Sequence, residues 1–125
     1  MSTTQVRVAG VGLSFVLIFL SGIWLSHLGK PYSTGVFTIH KLVGLAVGVL
    51  LAVMVVQTHK ATPLGLVEIA AIVVTVLFFI GTVVAGGLLS VDLEVPPFVQ
   101  KLHQVIPVLT VLSSAGTLYL LLRGT

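Results

Sequence analysis

Val47-Gly48-Val49-Leu50-Leu51-Ala52-Val53 sits inside a longer run, Val36 to Thr58, whose only ionisable residues are His40 and Lys41. A strand that satisfies its backbone in lipid alternates apolar and polar residues, because one side faces hydrocarbon and the other a polar lumen. This heptapeptide has no polar side chain to alternate. At about 1.5 Å per residue, about 20 apolar residues in a helix cross a hydrocarbon core of about 30 Å, so the run reads as a transmembrane helix.

Three further runs of the same kind lie near Val8 to Leu28, Leu64 to Ser90 and Phe98 to Leu122. Hydrophobic residues make up 57% of the chain and charged ones 7%, with a mean hydropathy of +1.23, more apolar surface than a soluble domain of this size can bury. The first run is longer than the apolar core of a secretion signal and lacks an Ala-x-Ala-like cleavage site, so it reads as a retained helix. Gly29 to Gly35, His59 to Pro63 and Val91 to Pro97 form the links, each with proline, which suits a helix end. Links this short make consecutive helices antiparallel neighbours. The expected fold is therefore an all-α, up-down-up-down membrane four-helix bundle forming a single domain.

Four crossings put both termini and the His59-Lys60 link on one face, A, and the other two links on face B. Face A carries Arg7, Lys60 and Arg123, while Lys30, Lys41 and Lys101 lie at or near face B and the acidic Asp92 and Glu94 contribute little. If Lys41 and Lys101 pair with a ligand, the remaining count puts face A inside. A multi-pass protein of the cell (inner) membrane with both termini cytoplasmic is then expected. The formal charge of +3 is spread over both ends, which leaves no basic face for nucleic acid. With no cysteine, iron–sulfur clusters, thiolate metal sites and covalent haem attachment are excluded.

Ionisable groups inside a membrane span mark function by default. His40 and His103 each fall four or five residues inside the face B end of helices two and four, at a common depth of roughly 6 to 8 Å. In a simple bundle those helices are diagonal, so the two imidazoles flank the central cavity where cofactors are held. Two imidazoles give six-coordinate haem iron of the kind found in electron carriers, whose metal ligands here would be His40 and His103. Gly44 and Gly48 follow His40 on one helix face and leave room for a flat macrocycle. Pro107, Thr110 and Ser114 continue the face of His103, with Pro107 removing one backbone hydrogen bond.

Ile39-His40-Lys41-Leu42-Val43-Gly44 echoes Leu102-His103-Gln104-Val105-Ile106-Pro107 at an offset of 63 residues, as if two helical hairpins were equivalent. Lys41, and less favourably Lys101, can reach toward face B to pair with haem propionates. Gln100, three residues before His103, is a candidate hydrogen-bond partner of the ligand. His27 is a third candidate at the cofactor, as a ligand or as a donor to one of its carboxylates, against the alternative of an interfacial residue. His59 reads as a solvated loop residue.

Glu68 suits an ion pair with Lys60 or Arg123 at headgroup level. Gly81, Thr82, Gly86 and Gly87 narrow the face B half of helix three, and close helix packing explains them equally well. Trp24, Tyr32 and Tyr119 fall near span ends, where aromatic belts sit.

On these residues the chain resembles the small four-helix membrane b-type cytochromes of cytochrome b561-like architecture. The resemblance spans the whole chain through two short motifs, His40-Lys41-x-x-Gly44 and Leu102-His103-x-x-x-Pro107. It implies haem b. Only His59 is available toward face A for a second pair, so one haem per chain is carried over.

Three functions stay open: an electron carrier or haem subunit working with a quinone or a redox partner protein; a non-redox subunit or oligomeric transporter-like bundle; and a chlorophyll-type pigment subunit using the same imidazoles. A bundle this small suits a homo-oligomer or a place in a larger complex. No nucleophile with its base, phosphate loop or carboxylate pair is present to carry hydrolysis or phosphoryl transfer, so a stand-alone enzyme is not the expectation.

Overall fold

The computed structural model describes residues 2–91 and 94–123, so Asp92, counted above among the face B charges, lies outside the described residues. Among the described residues the chain is all-α, built of four helices: α1 (Thr3–Leu28), α2 (Thr34–Ala61), α3 (Leu66–Ser90) and α4 (Pro97–Leu122). Each is long and apolar enough to cross a membrane.

The helices outrun the apolar segments where local chemistry allows it. α1 begins five residues before Val8 because Ser2 and Gln5 form a capping box: the Ser2 hydroxyl accepts from the Gln5 amide at 3.1 Å, and the Gln5 side chain accepts from the Ser2 amide at 2.9 Å. Two amides that the first helical turn would leave unpaired are thereby satisfied. α1 ends where Gly29 takes φ 71°, a conformation costly for any residue with a Cβ, and returns its amide to the Leu25 carbonyl at 3.0 Å. α4 opens with Pro97 in its first turn, where the missing amide hydrogen costs nothing, and runs on through Pro107.

The four helices group into two compact hairpins, divided between Lys60 and Ala61. In the first, α1 and α2 run antiparallel. Arg7 hydrogen-bonds Gln57 near one end, Leu50 packs on Gly10, Ile18 packs on Gly44, and His40 meets Ser21 and Gly22 toward the link. In the second, Arg123 pairs with Glu68 at 3.5 Å, Thr75 meets Ser113 and Thr117, Ile106 packs on Gly81, and His103 meets Thr82 and Gly86. Glu68 thus finds the arginine of the two partners expected for it.

Most large apolar side chains remain outside: Leu13, Leu45, Leu77 and Leu112 are all exposed. Left in water, each would forgo about 1.5–3 kcal/mol of burial, a loss that lipid removes. Several hydroxyls within the spans bond back to their own helix. Thr58, Thr75, Thr82 and Thr110 each donate to the carbonyl four residues earlier, at 2.8–2.9 Å.

Candidate functional site

His40 and His103 each stand six residues after the first residue of their helix, about 9 Å along it. Within its own hairpin, each ring lies against a glycine of the preceding helix. A Cβ built on Gly22 would lie 3.1 Å from His40 Cε1, and one built on Gly86 would lie 2.7 Å from His103 Cε1. Any side chain at Gly86 would overlap the imidazole. These two glycines are seats for the rings.

The second seat is the simpler. His103 Nδ1 lies 3.0 Å from the Thr82 carbonyl oxygen, and a carbonyl only accepts, so Nδ1 carries the proton. Thr82 is one helical turn before Gly86, and the side chain at that following turn lies over the carbonyl's flank. With glycine there, the oxygen is open to a ring from α4.

In the first seat the equivalent carbonyl, one turn before Gly22, belongs to Ile18. Here a hydroxyl intervenes. Ser21 Oγ is 3.0 Å from the Ile18 oxygen and 2.8 Å from His40 Nδ1. Serine has one proton, and the carbonyl can only accept. Both contacts are hydrogen bonds only if Ser21 donates to Ile18 and His40 Nδ1–H donates to Ser21. The residue matching Ser21 beside Gly86 is Ala85, buried and without a hydroxyl, so His103 reaches its carbonyl directly.

In each seat the acceptor beside Nδ1 favours the Nδ1–H form, and a neutral ring in that form has its lone pair on Nε2. A metal-binding imidazole needs this arrangement: one nitrogen donates to a fixed acceptor, which orients the ring and raises the basicity of the other. Each ring, within its own hairpin, is of the kind that could ligate haem iron. Among the described residues no group of three or more His, Cys, Asp or Glu could hold a metal ion, and axial haem ligation requires no such group.

The remaining expected residues sit as follows. The room at Gly44 is taken within the hairpin by Ile18, whose Cδ1 would lie 3.1 Å from an added Cβ. Lys41 is exposed, its Nζ 4.6 Å from the centre of the Phe37 ring, which stacks in turn on Tyr32. That contact holds the ammonium at the link end of the helix. Gln100 is exposed in the first turn of α4 and Lys101 at the start of the second. His27 is exposed in the last turn of α1, and His59 is exposed in the last turn of α2.

Of the glycines expected to narrow α3, Gly81 packs under Ile106, Gly86 seats His103, and Gly87 meets nothing within 4 Å. Ser21 and Gly22 were missed by sequence reasoning. The available signal was a glycine 18 residues before His40, matched by Gly86 17 residues before His103.

Compared with known proteins, the chain matches no family model, no curated protein and no solved structure.

Proposed function

We propose that the protein is an integral-membrane b-type cytochrome of b561-like architecture that carries electrons through one haem b, with His40 and His103 as the axial ligands. The observation that carries the reading is the shared seat: in each hairpin Nδ1 lies at hydrogen-bond distance from an oxygen fixed on the preceding helix, which favours the Nδ1–H form and turns Nε2 toward a ligand role. A haem held by two imidazoles supplies one-electron exchange at its iron. The chain's own contribution is to orient each ring through the contact at its Nδ1. Lys41, exposed at the link end of α2, is the residue proposed to meet a propionate.

The proposed setting is a cell inner membrane with both termini cytoplasmic and the haem toward the opposite face. A quinone or a redox protein would exchange electrons with it, in a homo-oligomer or as part of a larger complex.

A second reading rests on the same contacts. Each histidine bonds across its own hairpin, which by itself stabilises helix packing without any cofactor.

The absorption spectrum of protein purified from haem-replete cells separates the two. The expected result is sharp Soret and alpha bands that shift on dithionite reduction and are lost in H40A and in H103A. A colourless wild-type protein refutes the cytochrome.

A further inference from the structure

The two histidine seats differ in one atom that matters. His103 donates to a main-chain carbonyl, whose acceptor strength no substitution at that residue removes, whereas His40 donates to a side-chain hydroxyl. The Ser21 hydroxyl is itself polarised, because its own proton is given to the Ile18 carbonyl at 3.0 Å, and donating that proton makes the oxygen a better acceptor. Ser21 is 7% exposed, so water has little access to replace it.

We propose that Ser21 is the positioning residue that fixes the His40 tautomer and, through the basicity of Nε2, sets the reduction potential of the bound haem. The part concerning the haem rests on the cytochrome reading; the tautomer does not. Donation from Nδ1–H to Ser21 increases electron density at Nε2, which favours ferric over ferrous iron and lowers the potential. Removing the acceptor reverses this.

The test uses the full chain with three substitutions. S21A removes the acceptor, S21T keeps a hydroxyl, and S14A deletes a different α1 hydroxyl, one that bonds back to the Gly10 carbonyl at 2.7 Å. In protein without haem, the 15N chemical shifts of His40 report the tautomer. Wild type, S21T and S14A are expected to show protonated Nδ1, and S21A a mixture of both tautomers. In protein with haem, S21A is expected to bind haem about tenfold more weakly. Its midpoint potential rises above that of wild type, with changed low-spin g values in the electron paramagnetic resonance spectrum, while S21T and S14A stay near wild type.

A wild-type His40 protonated on Nε2 overturns the proposal, as does an S21A potential that is unchanged or lower. A wild-type protein that takes up no haem but keeps the Nδ1–H tautomer refutes the cytochrome and the potential-setting role, and leaves Ser21 as the residue that fixes the imidazole.

Discussion

Alanine at Gly86 and alanine at Gly87 are neighbouring substitutions with opposite expected outcomes. At Gly86 the new methyl would sit 2.7 Å from His103 Cε1 and 3.2 Å from Nδ1, against an ordinary carbon–carbon contact of about 3.5 Å or more. The contact must open by roughly 0.8 Å, and a retreat along the bond to the Thr82 carbonyl lengthens its 3.0 Å to about 3.8 Å, beyond hydrogen-bond range. The lost bond costs about 0.5–1.5 kcal/mol and the overpacking about 1–3 kcal/mol. Replacing glycine inside a helix returns about 1 kcal/mol. The net expectation is a destabilisation of about 0.5–3.5 kcal/mol for G86A, and the proposed cytochrome would lose about 10–100-fold in haem affinity because the ring is no longer oriented. At Gly87 an added Cβ meets nothing within 4 Å, so G87A keeps the propensity gain and would leave haem binding by the proposed cytochrome unchanged. Thermal unfolding in detergent and haem titration read the two effects separately. If G86A and G87A behave alike in both assays, the glycine seat is wrong.

Thr75 gives its proton to the Ala71 carbonyl and so accepts from Ser113 and Thr117, which makes it the polar joint between α3 and α4. T75V is expected to cost about 1 kcal/mol, at about 0.6 kcal/mol for each of its two interhelical bonds, with a coupling of about 0.6 kcal/mol to T117V in a double-mutant cycle and none to S14A. The chain has no cysteine, which makes single-cysteine labelling clean. With both termini cytoplasmic, K30C reacts with a membrane-impermeant maleimide in intact cells and K60C reacts only after lysis; the reverse pattern inverts the topology.

The sequence by itself determined the four crossings, because lipid demands long apolar helices and nothing about their neighbours enters that demand. Helix ends shifted by up to five residues, at α1, where the capping box of Ser2 and Gln5 prolongs a helix past its hydrophobic stretch. The two histidines were also legible, since an imidazole well inside a span is costly enough to be conspicuous.

Their tautomers were not legible. They depend on which atoms of one helix face a ring on the next, and a hydroxyl or a carbonyl at the wrong rotation about the helix axis would give no bond. Ser21 looks like any small polar residue in a membrane helix until His40 is found beside it, and Gly86 looks like Gly87 until one is seen under His103 and the other in open space. Only the tertiary structure decided which glycine is a seat, because a missing Cβ has a consequence only where another side chain occupies its place.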